Sequence, residues 1–225
     1  MKKSLLIIPF VILLLSATEY SYAQVIQLDK LFHNQILSGN VDSVKSFIKA
    51  GVDVNKRFNF GASGSISPLY LAILLGYSEV SKLLIDSGAD AKMDFNGWNL
   101  MHVAADALGN EAIVELLIKN GLDVNAKTKF YGVTPLFFAA RKGNIEATKA
   151  LIKNGADVNA KHPNYGDTPL HWAVKNQHKD VIKLLISSGA EVNAKNKYKE
   201  TPLDLAKQKE VADLLKKNGG KSGKE

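Results

Sequence analysis

A short phrase recurs along this chain about every 34 residues, and this period constrains the fold more than any other feature. Intact copies of the phrase, Thr-Pro-Leu, begin at Thr134, Thr168 and Thr201. Altered copies begin at Ser67 and Asn99. A second phrase with the same spacing reads roughly Gly-Ala-Asp-Val-Asn and begins at Gly51, Gly88, Gly121, Gly155 and Gly189. Because two independent phrases share one period, the chain is predicted to be a stack of similar supersecondary units.

The residues around each phrase predict two helices per unit. Thr or Ser before Pro is typical of a helix start, because the hydroxyl accepts a hydrogen bond from a free backbone N–H and Pro lacks a donor that has no partner there. Apolar residues at i, i+3 and i+4 predict a second, amphipathic helix. Two such stripes are Ile113, Leu116, Leu117 and Val181, Leu184, Leu185. The first helices are predicted to end in a left-handed residue at Gly76, Gly109, Gly143 and Asn176.

The repeated phrases resemble the signature of the ankyrin repeat family, which reads roughly Gly-x-Thr-Pro-Leu-His-x-Ala. Residues 166–173 match it at every defined position, and residues 132–139 depart from it only at Phe137, where His is usual. The last copy has Asp204 at the same place. The resemblance covers residues 28–219 and implies an all-α repeat solenoid. This would be an ankyrin array of about six helix-turn-helix units with extended β-hairpin-like fingers.

The period and the resemblance together predict how the chain is organised. A capping helix pair and a long first finger occupy 24–64, four ankyrin repeats occupy 65–198, and a shortened C-terminal capping repeat occupies 199–219. Terminal repeats of such arrays are usually atypical because one of their faces meets water. The Gly, Ser and Lys content of residues 220–225 predicts a basic, flexible, solvated tail. Its lysines either increase solubility or contact an anionic surface of a cell envelope.

The first 23 residues have the three parts of a secretory signal peptide. Residues 1–3 are a basic start, residues 5–15 are an apolar run, and small residues precede a predicted cleavage site between Ala23 and Gln24. The apolar run is shorter than the ~20 residues that span a bilayer. We therefore expect a bacterial-type chain that is exported, periplasmic or secreted, with no transmembrane span in its mature form. An uncleaved membrane anchor is the alternative.

Side chains with the spacing of a known catalytic, metal or phosphate site are not found in the sequence. There is no cysteine, and the resemblance implies that His102 and His171 bond to backbone and hydroxyl groups of neighbouring repeats. A formal net charge of +7 is mild beside the dense basic stripe of a nucleic-acid binder. We therefore expect no catalysis, no cofactor, no metal and no bound nucleic acid. The residues assigned to the repeat scaffold are Pro68, His102, Thr134, Pro135, Thr168, Pro169, His171, Thr201 and Pro202.

One column of residues indicates a binding surface. Tyr131, Tyr165 and Tyr198 stand directly before the predicted finger turns, where Asn or Asp is favoured because a tight hairpin turn needs a positive φ. Asn96, before Gly97, follows that preference. Exposed aromatic rings are good anchors for a protein partner because they bury much area at a small entropic cost. The other aromatic candidates are Phe58, Phe60, Phe95, Trp98, Phe130, Phe138 and Trp172.

The tyrosine column has a second interpretation, in which the rings stack on each other and stiffen the fingers. If the rings are anchors, the chain is a monomeric, non-catalytic interaction scaffold that binds a protein partner through a concave face built by the fingers and first helices. Two alternatives keep the same fold. One is a secreted effector that acts on a host protein, and the other is a binder that attaches to the envelope through its basic tail.

Overall fold

Thr-Pro phrases and glycines divide the chain into helix pairs, which a computed structural model describes over residues 22–59, 65–107 and 110–224. The helices are α1 (Tyr22–Leu37), α2 (Val41–Lys49), α3 (Pro68–Leu74), α4 (Ser78–Asp86), α5 (Leu100–Asp106), α6 (Glu111–Lys119), α7 (Pro135–Lys142), α8 (Ile145–Lys153), α9 (Pro169–Lys175), α10 (Lys179–Ser187) and α11 (Lys209–Lys217). A 3₁₀-helix, Pro202–Leu205, precedes α11. Two antiparallel hairpins join β1 (Phe58–Asn59) to β2 (Ser65–Ile66) and β3 (Asp94–Phe95) to β4 (Trp98–Asn99). This mostly helical arrangement fits a helical repeat array.

Parts of the sequence predictions lie outside the described residues. The proposed leader does so up to residue 21, while Ala23 and Gln24, which flank the predicted cleavage site, belong to α1. Phe60 in the first finger and Gly109 at the end of a first helix are also outside.

The chain divides into two units. The first contains the described residues up to Ala72 together with Glu79–Ala89, and the second contains Ile73–Ser78 and the residues from Asp90 onward.

The first unit is built on contacts between α1 and α2. The rings of Phe32 and Phe47 lie 5.9 Å apart between centroids, and Ile36 and Val44 are fully buried beside them. These residues form the core of the N-terminal helix pair.

In the second unit, the first helices α5, α7 and α9 lie side by side, and each contacts its own second helix, α6, α8 or α10. Ala104, Ala139 and Ala173, at the alanine position of the repeated phrase, are fully buried. Leu136 and Leu170, which follow the prolines of that phrase, are fully buried as well. Small side chains alternating with leucine let neighbouring first helices approach closely without leaving voids.

The buried stripes of the second helices differ from the prediction by one position. In α10, Val181 is 1% exposed and Ile182 and Leu185 are fully buried, whereas Leu184 is half-buried. The same pattern recurs in α6, where Leu116 is half-buried in place of a buried Val114. Each second helix contacts both its own first helix and the neighbouring second helix. The core-facing side is therefore rotated toward the i+1 position.

The left-handed residues mark the turns between helices. Gly51, Gly88, Gly121, Gly155 and Gly189 have φ between +81° and +92°. Gly76 and Gly143 end their first helices with φ of 76° and 72°, as predicted. The prediction for Asn176 is wrong, because its φ is −98° and Gln177 has the left-handed conformation at 61°. Gln177 lies 34 residues after Gly143, so the left-handed turn keeps its place in the repeat and the prediction was one residue too early.

The C-terminal segment is not the frayed tail that its composition predicts. Asn193 Nδ2 donates to the carbonyl of Gly219 (2.9 Å), and the N–H of Lys221 donates to Asn193 Oδ1 (2.7 Å). The preceding repeat has the same pair of bonds. Asn159 Nδ2 donates to the Gly189 carbonyl, and the N–H of Glu191 donates to Asn159 Oδ1. The segment therefore occupies the place where a further finger would begin.

Asp204 completes the attachment of this segment. Its carboxylate accepts hydrogen bonds from the Ser222 hydroxyl (2.6 Å), the Gly223 N–H (2.8 Å) and the N–H and hydroxyl of Thr201 (2.8 and 3.0 Å). Partial burial alone would raise the pKa of Asp204, but these donors together hold that pKa well below its usual range. The C-terminal segment thus closes the last repeat by using the acid that replaces the usual histidine.

Removal of residues 220–225 is expected to lower the free energy of unfolding by ~1–3 kcal/mol, because several hydrogen bonds to Asp204 and Asn193 are lost at about 1 kcal/mol each. Urea unfolding of the full and truncated chains measures this difference. Lys224→Ala, which changes an exposed side chain of the same segment, is the control and should change it by less than ~0.5 kcal/mol. Equal stability of the full and truncated chains would mean that the segment is frayed in solution.

Candidate functional site

The finger loops of the second unit share one backbone design. In the loops 128–133 and 162–167, the first N–H donates to the last carbonyl at 3.0 and 2.8 Å, and in the shorter loop 196–200 the equivalent bond is 3.0 Å. Each loop contains a left-handed residue directly after its tyrosine. These residues are Gly132, Gly166 and Lys199, with φ of 62°, 73° and 63°. In the preceding finger, Asn96 and Gly97 both have positive φ, at 53° and 80°, as a two-residue hairpin turn requires.

Neighbouring finger loops are bonded to each other. The N–H of Lys129 donates to the Gly97 carbonyl (2.9 Å), and the N–H of Lys197 donates to the Tyr165 carbonyl (2.9 Å). Pro163 stands at the equivalent position of the intervening loop and has no N–H to donate. Its ring fills the space beside Gly132, where an added Cβ would come within 2.8 Å of it. Backbone hydrogen bonds therefore join the first and the last pair of neighbouring fingers, and the Pro163 ring packs against the loop before it.

The tyrosine column is exposed on these loops. Tyr131, Tyr165 and Tyr198 are 57%, 46% and 66% exposed, and Phe130 beside them is 68% exposed. Among the described residues, none of the three tyrosine rings contacts another, and the ring of Tyr165 lies instead against His162 at 4.7 Å. The structure therefore does not contain the mutual stacking that was the alternative interpretation of this column.

The remaining aromatic candidates are less accessible. Phe138 is only 4% exposed, so it belongs to the core and does not present its ring to a partner. Half-buried Trp98 lies on it at 4.3 Å between ring centroids. Phe95 is half-buried on the strand opposite Trp98. In the first unit, Phe58 is half-buried with its ring 4.6 Å from that of His33.

A groove with a volume of about 540 Å³ lies between α9 and two of the finger loops. Half-buried Trp172 lines it, and this ring is supported by Phe137 at 5.6 Å and His162 at 5.9 Å. Sequence reasoning identified three aromatic residues of the lining but missed its charged residues, since these are not repeated from unit to unit. The lining of the groove includes Tyr165, Asp167, Trp172, Lys175, Tyr198 and Glu200.

The repeat histidines have a structural environment. His171 Nδ1 accepts a hydrogen bond from the N–H of Thr168 (3.1 Å), so Nε2 carries the proton and donates to the Glu200 carbonyl of the next finger (3.2 Å). His102 Nε2 likewise bonds to the next finger, at the carbonyls of Ala126 (3.0 Å) and Val133 (3.2 Å). Both histidines therefore connect a helix start to the following finger, the role that the ankyrin resemblance implies.

Burial lowers the pKa of His102 and of His171 below 6.5, although their hydrogen bonds to carbonyls act in the opposite direction. The unfolded chain therefore takes up protons before the folded chain does. The corresponding stability is fully present above about pH 6.5 and is lost as the pH falls through the lowered pKa values.

Acidification from pH 7.5 to pH 5 is accordingly expected to lower the melting temperature. Replacing both residues, His102→Gln and His171→Gln, should make the melting temperature depend less on pH, and should also lower the stability at pH 7.5. A residual slope is expected from His33 and His162, whose pKa values burial also lowers. Thermal melts by circular dichroism across this range provide the measurement, and a melting temperature that rises on acidification would contradict it.

Among the described residues, no group of three or more His, Cys, Asp or Glu side chains is arranged to hold a metal ion. Within residues 22–59, 65–107 and 110–224, no helix combines the length and apolar character needed to cross a bilayer.

Comparison with known proteins is consistent with the repeat geometry. The family described as "Ankyrin repeats (3 copies)" matches residues 32–128 and 124–196. Similar curated proteins are the "Ankyrin repeat, SAM and basic leucine zipper domain-containing protein 1" of Notamacropus eugenii, 30% identical over 122 residues, and that of Mus musculus, 31% identical over 122 residues. Each match covers 52% of this chain and 25% of the relative, so the chain matches about a quarter of the length of these relatives.

Proposed function

Because the chain belongs to the ankyrin repeat family, we propose that it is a non-catalytic scaffold that binds a protein partner through its finger loops and first helices. Repeat arrays of this kind generally act as interaction modules, and the similar curated proteins are named for ankyrin repeats rather than for an enzymatic activity. The partner contacts proposed here come from the second unit, where the finger loops and the groove lie together.

The exposure of Phe130, Tyr131, Tyr165 and Tyr198 is the observation that supports this proposal. Large aromatic side chains on loops that are bonded to their neighbours lose little conformational freedom on binding. Two of these rings also border the groove, which could accept a side chain of the partner. A catalytic function has less support, since His102 and His171 are both engaged in bonds between repeats.

Truncation of the rings tests the proposal. If the rings are binding hot spots, Tyr131→Ala and Tyr165→Ala should each weaken binding of the partner by ~2 kcal/mol or more, about thirtyfold in affinity. Lys149→Ala, on the exposed face of α8, is the matched control and should leave affinity unchanged.

A partner captured with the purified chain allows titration calorimetry of each variant beside its thermal melt. Lower melting temperatures with normal affinity in both tyrosine variants would assign the column to the scaffold and reject it as a binding surface.

We also propose that the chain is exported, on the strength of its basic start, its apolar run and the small residues before Gln24. A periplasmic protein and an effector delivered to a host protein are both compatible with this leader. An envelope-bound form is a second candidate, because the side chains of Lys221 and Lys224 are exposed even though the backbone of Lys221 is bonded to Asn193 of the last repeat.

Processing of the leader can be measured directly. Expression of the full chain in a bacterium should give a periplasmic product that starts at Gln24, as read by N-terminal sequencing and intact mass. A variant with Ala23→Arg, which removes the small residue before the cleavage site, should remain uncleaved. A product that retains residues 1–23 in the unmodified chain would favour the uncleaved membrane anchor.

A further inference from the structure

The groove beside α9 holds two carboxylates at one wall. Asn196 Nδ2 donates hydrogen bonds to Asp167 Oδ1 (2.9 Å) and to Glu200 Oε2 (3.1 Å), so a single amide keeps the two side chains together. Asp167 is only 9% exposed although it lines the groove. Among the described residues, neither carboxylate forms an ion pair. A buried carboxylate such as Asp167 is costly unless a cation or several donors compensate for lost hydration, so a positive charge beside this wall would be stabilising.

The two cations that line the groove, Arg141 and Lys175, form no ion pair with these carboxylates in the part of the chain that the structure describes. Arg141 also lines the groove, but it is paired with Asp106 and its guanidinium lies over the ring of Phe138 at 5.5 Å. Lys175 is exposed on α9. The neighbouring His162 and His171 contribute little positive charge at neutral pH, since burial lowers the pKa of both. Asp167 and Glu200 therefore share one wall of the groove without an ion-pair partner among the described residues, which makes that wall complementary to a cation.

The same groove is lined by three aromatic rings, those of Tyr165, Trp172 and Tyr198. Aromatic faces attract cations, and a guanidinium both stacks on them and pairs with carboxylates through its planar set of N–H donors. A volume of about 540 Å³ is ample for one long side chain.

We propose that this groove binds an arginine side chain of the protein partner, with Asp167 and Glu200 as its counter-charges and the three rings as its apolar walls. This inference rests on the proposed function, because it takes the groove to face a partner protein. It adds the chemistry of the segment that is recognised, an exposed peptide containing arginine.

Arginine is favoured over the other charged side chains for physical reasons. An acidic side chain would meet Asp167 and Glu200 as like charges. A lysine could pair with them, but its ammonium is compact and strongly hydrated and cannot stack flat on Trp172. Citrulline has nearly the same shape as arginine without the charge, so it separates the contribution of charge from that of shape.

The test is an NMR titration of the ¹⁵N-labelled protein with acetyl-Gly-Arg-Gly-amide and with the matched citrulline and glutamate peptides. Saturable shifts are expected at the Trp172 indole N–H and the Asn196 side-chain amide with the arginine peptide. The citrulline peptide should bind more weakly, and the glutamate peptide should bind weakest of the three. Glu200→Gln should lower the affinity for the arginine peptide about two- to fivefold, which is the contribution of an exposed ion pair.

Lys175→Gln provides a control of opposite sign. It removes the competing ammonium and should strengthen binding of the arginine peptide by a similar factor, whereas Lys183→Gln on α10 should have no effect. Equal binding of the arginine and citrulline peptides, or unchanged binding in Glu200→Gln with a normal thermal melt, would overturn the assignment.

The two proposals can fail separately. If the arginine peptide does not bind but Tyr131→Ala still weakens binding of the partner, the scaffold function stands and the arginine assignment is rejected. If the arginine peptide binds as expected while no tyrosine variant changes the affinity of the partner, the groove recognises arginine and the proposed role of the finger column fails.

Discussion

The positions of the finger loops depend on one contact that recurs between repeats, from the start of each first helix to the finger that follows it. His102 and His171 make this contact through a hydrogen bond from Nε2 to a backbone carbonyl. Phe137 makes it through its ring, which lies edge-on to that of His162 at 6.2 Å. In the last repeat Asp204 binds the C-terminal segment instead. Different side chains at one position of the repeat therefore make equivalent contacts, and each contact attaches a loop to the helices before it.

This attachment explains how loops without regular structure can form the proposed binding surface. The loops 162–167 and 196–200 are closed by their own hydrogen bonds and joined by the bond from Lys197 to Tyr165. The backbone of such loops is held in place before a partner arrives, so binding does not have to order it. The exposure of Tyr131 and Tyr198 is thus a property of a preorganised surface, and the groove gains its charged wall from the same arrangement.

Much of the local structure could be predicted from the sequence because it depends on neighbouring residues. A helix start at Thr-Pro and a turn at Asn96-Gly97 are decided within four residues of chain. The errors have a different origin. Leu184 was expected to be buried because its stripe has the right period, but the side of a helix that faces the core is set by the helices around it. The C-terminal segment was expected to be frayed because its composition does not reveal that Asn193 and Asp204 have free acceptors for it.

The sequence by itself determined that this protein is a repeat array, since a period near 34 residues is written directly into the order of its amino acids. It also determined which aromatic residues lie on the fingers. Only the tertiary structure decided that Phe138 is buried while Tyr131 is exposed. It also decided that Asp167 and Glu200, 33 positions apart, share one amide of Asn196. The physical reason is that burial and charge environment depend on contacts between repeats, and those contacts exist only after the helices have stacked.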